Sequence, residues 1–235
     1  MLYDFRHGCQ ERLGLCSVIY IINDQYYTMK KFPALIIIII AACITANLYG
    51  ETFTFKAEKM SGNRASGRES LVLTGNAEVH SDTILLRADR IEIHGKDNDF
   101  IDCSGNVWGF EEKKNIIFQS DRLRYDRILK IARLEGNSTL EDRQNEVIAK
   151  GRFIEYNDKT EIAIFQITVR LFKENIVCRS EYAVYRREEK LLDLSGFPVV
   201  HKKNDEFRAA RIRVNLDTDD VTMEGDVSGS IKSEQ

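Results

Sequence analysis

Beyond Gly50, apolar and polar residues alternate with a period of two along nearly the whole chain. In "LVLTGNAEVH", Leu71, Leu73, Ala77 and Val79 fall on one face, and Thr74, Asn76, Glu78 and His80 on the other. This is the pattern of a half-buried antiparallel strand. It returns with Ile101, Cys103 and Val107, with Leu192, Leu194, Pro198 and Val200, and with Val221, Met223 and Val227. Helical periodicity is absent from the same region.

A glycine interrupts each of these segments, yet the alternation passes through it in phase, which favours a bend or bulge over a hairpin turn. On this reading the glycine shares the inward lane and leaves room in the interior. Gly75, Gly105, Gly136, Gly196 and Gly225 recur 29 to 31 residues apart, with one double interval of 60. The missing glycine is expected near Gln166, in "IFQITVRLF". A second segment repeats between them, in "LLRADRIEI", "IFQSDRLRY", "VIAKGRFIEY", "VCRSEYAVY" and "FRAARIRVN". Here the phase slips at Asp89, Asp121, Gly151, Glu181 and Arg211, as it does when a strand turns a corner between two sheets. Leu86 and Ala88 share a face, and Ile91 and Ile93 take the opposite phase. A period near 30 residues marks a repeat array. The polar links "HGKDND", "EEKKN", "EDRQNE", "REEK" and "KKNDE" read as hairpin turns on solvated ends. The expected architecture is all-β: elongated, antiparallel, made of bent strands whose two sheets face each other across a continuous apolar channel.

The chain has 235 residues, 43% of them hydrophobic and 30% charged, with a net charge of −3. That is enough apolar material for one sizeable core, and without a basic excess the balance argues against nucleic acid as a partner. From Met29, "MKKFPALIIIIIAACITANLYGET" has two lysines, an apolar run from Ala34 to Ala46 and small residues before a polar chain, the order of a secretory signal. The run is shorter than the roughly 20 residues of a membrane-spanning helix. Residues 29–50 are therefore expected to be a signal, and residues 1–28 an upstream extension before the true start at Met29. "IAAC" also fits a lipobox that would make Cys43 a lipidated N-terminus, and a retained anchor is a third alternative. The exported domain is expected over residues 51–235. Its cysteines, Cys103 and Cys178, are expected as separate buried thiols.

No catalytic constellation stands out. His80, His94 and His201 lack metal-ligand spacing, and no nucleophile elbow or phosphate loop is present. The neighbours Asp89–Arg90 and Asp121–Arg122 point to opposite faces of a strand and read as corner residues. The expectation is a protein without catalytic residues, metal or cofactor.

"LVLTGNAEVHSDTILLRADRIEI", followed by further copies of strand-Gly-Asn-strand and Ala/Ser-Asp-Arg-Ile/Leu, resembles the OstA-like or LptA-like family of lipopolysaccharide-transport proteins. The resemblance runs from about Glu51 to Ile231 and is sharpest in the first two repeats. It implies an open β-jellyroll that holds acyl chains between its sheets. It also implies periplasmic stacks, end to end with copies of itself or with the jellyroll domains of an inner-membrane exporter and an outer-membrane translocon. The ligand would be lipopolysaccharide or a similar glycolipid. The inward lane that would line the channel comprises Phe53, Phe55, Leu73, Val79, Leu86, Ile91, Ile93, Val107, Phe118 and Leu123, with Phe53 and Phe55 at one mouth. Charge at Leu73 or Val79 is expected to damage transport before folding. The first strand, "TFTFKA", and the last, "VTMEGDVSGSI", carry little charge at their centres and are candidates for edge-to-edge addition. Two alternatives stand beside this reading: a membrane-anchored component on the inner-membrane side of the same system, and a structural or adhesive β-solenoid with a fully packed interior.

Overall fold

The computed structural model describes residues 53–63 and 69–232. The expected signal segment, the upstream extension and Cys43 lie outside the described residues. Alternation of side chains along every strand lets one face be buried and the other solvated, and the described chain is an antiparallel β-meander that never closes on itself. The long strands are β3 (Ser70–His80), β4 (Ile84–His94), β5 (Phe100–Glu111), β6 (Ile116–Asp126), β7 (Ile131–Asp142), β8 (Val147–Asn157), β9 (Ile162–Lys173) and β10 (Ile176–Arg186). Each pairs with the next in the sequence. At both ends of the array a bent strand is broken into two pieces. The first is β1 (Thr54–Lys56) with β2 (Lys59–Asn63), both paired to β3. The last are β11 (Leu191–Ser195) with β12 (Val199–Lys202), β13 (Asp205–Arg208) with β14 (Arg211–Asn215), and β15 (Val221–Glu224) with β16 (Ser228–Ser230).

Each rib is folded back on itself. A straight strand of 11 residues such as β8 would separate its ends by roughly 33 Å. Yet Lys114, in the β5–β6 turn beside the start of β8, donates a 2.7 Å hydrogen bond to Asp158 just past the end of β8. The halves of the ribs therefore form two facing layers, joined by a spine of corners on one side and meeting at two rows of turns on the other.

The corners explain the repeat. Gly75 and Asn76 both adopt left-handed backbone, φ +78° and +46°, and the β3–β4 register shifts by one residue between Thr74 and Ala77. Two residues thus oppose one, a bulge that bends the strand. A Cβ at Gly75 would lie 2.5 Å from Glu58 Oε2, and one at Gly105 would fall on the Asp89 carboxylate. Both acids are exposed. The space glycine leaves is therefore taken by the neighbouring rib's side chain on the outside of the corner, which corrects the expectation of room made in the interior. Gly136, Gly196 and Gly225 repeat this relation with Asp121, Glu181 and Ala210. The acids hold the corners: Asn76 donates to Glu58 at 2.9 Å, Asn106 to Asp89 at 3.0 Å, and the Asn137 amide to Asp121 at 3.0 Å.

In the glycine-free repeat the left-handed pair is Ile167–Thr168, one residue beyond the expected place. Positive φ at a β-branched residue is strained. On the preceding strand the corner falls between Lys150 and Phe153, where Arg152, one residue beyond the expected Gly151, takes the place that Asp121 has in β6.

The expected lane forms one continuous cluster. Leu73, Val79, Leu86, Ile91, Ile93, Val107 and Leu123 are all buried, and Phe53 and Phe118 pack against them half-buried. Phe55 faces Val79 across the β1–β3 pair, on the inner face, but is 49% exposed because it stands on the end rib. Cys103 and Cys178 are separate buried thiols, both pushed up to about 12 by burial.

Replacing Gly105 by Ala forces a side chain into left-handed backbone and onto Asp89. We expect a loss of about 1–3 kcal/mol by urea denaturation, with part of it recovered when Asp89→Gly is added.

Candidate functional site: the seam and its slot

The two rows of turns are each knit by backbone hydrogen bonds from turn to turn. On the first row Glu112 donates to Thr83 at 2.9 Å and Arg143 to Asn115 at 3.1 Å. On the second Arg127 donates to Asp99 at 2.9 Å, Asp158 to Lys130 at 2.9 Å and Arg187 to Glu161 at 3.1 Å. Between the rows lies a seam bridged by buried charge. Lys114 reaches Asp158 at 2.7 Å and Glu161 at 3.0 Å. Arg187 donates through Nε to Asp142 at 2.9 Å, through Nη1 to Glu161 at 2.7 Å, and through Nη2 to the Lys114 carbonyl at 2.9 Å. Tyr185 and Asn145 also donate to Asp142, at 2.9 and 2.8 Å. Further along, Lys202 donates to the Asp219 carbonyl at 2.7 Å.

Asp142 is 0% exposed and Arg187 8%. Charges this deep persist only when paired and hydrogen-bonded on several sides, as these are. Burial would raise the Glu161 carboxyl, but the hydrogen bonds from Arg187 and Lys114 outweigh it and hold the group below its ordinary range. Lys114 is raised despite burial, through Asp158 and Glu161. Three of the turns carrying this clasp, "EEKKN", "EDRQNE" and "REEK", were expected to be simply solvated. Their composition is that of any surface turn, and only the folding-back of the ribs turns Lys114, Asp142 and Arg187 inward.

At the N-terminal end of the clasp, an apolar slot of about 50 Å³ runs beneath the seam, walled by Leu86, Phe118, Leu123, Leu134, Leu140 and Tyr156. It shares Ile84, Leu86, Tyr125 and Asp158 with an outer pocket of about 60 Å³ that opens past Phe53, Ser81, Thr83, Arg127 and Lys130. The structure thus brings Phe53, Val79, Leu86, Phe118 and Leu123 of the expected lane to one opening, while Leu73, Ile91, Ile93 and Val107 lie in the packed interior. At full burial, charge at Leu73 or Val79 would disrupt folding itself, which reverses the expected order of effects.

Sequence reasoning missed Tyr125, Tyr156 and Tyr185. They stand on one inner row, alternating with Ala132 and Ala163 from strand to strand. Their own spacing of 31 and 29 residues was the available signal.

The fold and its slot define a folded-over β-trough, apolar within, sealed by charge along part of its length and open at one end of the seam. The model of the OstA-like protein family matches residues 51–226, and the chain belongs to that family. A solved structure similar to it is LptH, the LptA-homologous periplasmic component of the lipopolysaccharide transport device of Pseudomonas aeruginosa. The identity is 9% and the TM-score 0.26, over 78% of this chain and 96% of that one. No curated protein matches this sequence.

Arg187→Met leaves Asp142 buried without its cation, and we expect a loss of about 3–5 kcal/mol in chemical denaturation. Because the Glu161 carboxyl is depressed in the folded state, its contribution is present above its ordinary value of 4.5 and is lost as pH falls through the lower folded value. Stability measured against pH should therefore drop on the acid side below about 4.5, and Glu161→Gln should flatten that part of the curve.

Proposed function

We propose that the trough shields the acyl chains of lipopolysaccharide or a related glycolipid while they cross the periplasm from the inner to the outer membrane. Exposing a chain to water costs about 0.8 kcal/mol for each CH₂, so a carrier needs a continuous apolar lining and no catalytic group. The observation that carries the reading is the slot: an apolar opening in the seam whose walls continue into the core cluster. Membership in the OstA-like family points the same way.

The ends of the array support the expected partners. Among the described residues, β1 and β2 pair only with β3, β15 only with β14, and β16 only with β13. Both ends thus leave strand edges to which another jellyroll, from a second copy, an exporter or a translocon, would add. Phe55 and Met60, on the inner face of the first rib, would be covered by such an addition.

Ile84 lines the slot and is only half-buried, so a carboxylate there disturbs the lining more than the fold. Ile84→Asp is expected to retain a cooperative unfolding transition and to lose tenfold or more in affinity for purified lipopolysaccharide, read by displacement of a fluorescent lipid. A photo-crosslinker at position 84 should capture lipid in cells, and one at Leu192, deep in the packed half, should not. Absence of lipid binding by the unmodified protein would sink the carrier reading and leave the packed solenoid in its place.

A further inference from the structure

Most of the slot's wall is hydrocarbon, and Glu111, Tyr125, Tyr156 and Asp158 are its polar members. Tyr156 is only 9% exposed, and its hydroxyl, fully removed from solvent, has no hydrogen-bond partner. Leaving such a group unpaired costs on the order of 1–3 kcal/mol. Tyr185, two strands along the same inner row, is not in this position, because its hydroxyl is bound to Asp142. The difference follows from where each ring stands: Tyr185 lies under the sealed clasp, whereas Tyr156 lines the slot.

The flanking residues enforce the arrangement. Ala132 and Ala163 stand beside Tyr156 on the neighbouring strands, so the ring has small neighbours on both sides. Lys114 Nζ lies 5.8 Å from the ring centroid. Burial pushes the phenol up to about 12, so it is a proton donor throughout the physiological range. Tyr156 is two residues from Asp158, which sits in the rim of the outer pocket. Lys114 Nζ, over the ring, is also bonded to Asp158, so the ring lies beneath the charged rim, where a lipid's head would meet its tail.

We infer that the Tyr156 hydroxyl is a ligand-recognition group, donating a hydrogen bond to the carbonyl oxygen that joins an acyl chain to its head group. The inference rests on the carrier reading above and adds a selectivity to it. The slot prefers tails attached through an ester or amide over those attached through an ether, because a carbonyl oxygen is the stronger acceptor for the buried hydroxyl. A full chain is larger than the slot, so loading parts the two rows of turns. The Lys114–Asp158 bridge lies across that path.

The test compares two probes with the same nine-carbon apolar tail below their micelle concentrations, decanoyl-N-methylglucamide and nonyl glucoside, as competitors against a fluorescent lipid. One added hydrogen bond corresponds to a preference of about three- to tenfold for the amide in the unmodified protein. Tyr156→Phe should abolish that preference, bringing the amide probe's affinity down to the alkyl probe's, and raise or leave unchanged the melting temperature of the free protein. A cooperative melting transition shows that the variant is folded. Equal binding of the two probes by the unmodified protein, or a preference that survives in Tyr156→Phe, would overturn the inference while the carrier reading stands. Failure of both probes to bind the unmodified protein would overturn both.

Discussion

Everything in this molecule depends on a strand being able to fold back on itself without losing its ladder. A β-strand bends sharply only where an extra residue is inserted and the backbone takes a conformation that side chains resist. Gly75 and its counterparts meet that need, and the missing Cβ also makes room for the acid of the adjacent rib. The acid then bonds back to the bend, to an Asn side chain or a backbone amide. Bend and acid are thus one unit spread over two strands. Its repetition about every 30 residues stacks the corners into a spine and sets the two layers face to face.

From that geometry the seam follows. Once every rib is folded, its two ends arrive at the same place, and turns far apart in sequence become neighbours across a gap that must be either filled or left open. The molecule does both. From Lys114 toward Lys202 the gap is filled by cations and carboxylates, with Asp142 and Arg187 both buried. At the N-terminal end of that bridge it is lined by hydrocarbon and gives access to the interior. A buried ion network is an expensive way to close a core, since apolar packing does the same with less desolvation. Its use here fits a closure that can be undone more readily than a packed hydrophobic contact, because water can replace each of its partners.

The layers and the corners were legible in the sequence because they are local and periodic. Alternation gives the inner face, the in-phase glycine gives the bend, and the phase slip at Asp89 and Asp121 gives the corner on the intervening strand. What the glycines make room for was not legible, because the crowding partner comes from the preceding rib: Gly105 meets Asp89, not a neighbour in its own strand. The clasp was less legible still. Lys114, Asp158 and Arg187 sit in links whose composition matches ordinary solvated turns, and their burial is a consequence of tertiary closure. The slot fell between these cases. Leu86, Phe118 and Leu123 are readable as inward positions, but nothing local distinguishes a residue that lines an opening from Leu73 or Ile91, which fill a packed core.

The glycine-free repeat shows what the corner requires. Ile167 takes the glycine's left-handed place at a cost in strain, and on the preceding strand Arg152 stands where β6 carries Asp121. The register still shifts there by one residue, between Lys150 and Phe153 and between Ser180 and Tyr182. The constraint is therefore on the backbone: the extra residue and its left-handed pair persist where neither the glycine nor the acid is present. A repeat defined this way can lose its sequence signature at either position and keep its shape. That accounts for how the corner residue drifts from Asp to Arg, Glu and Ala along the chain while the ribs remain in step.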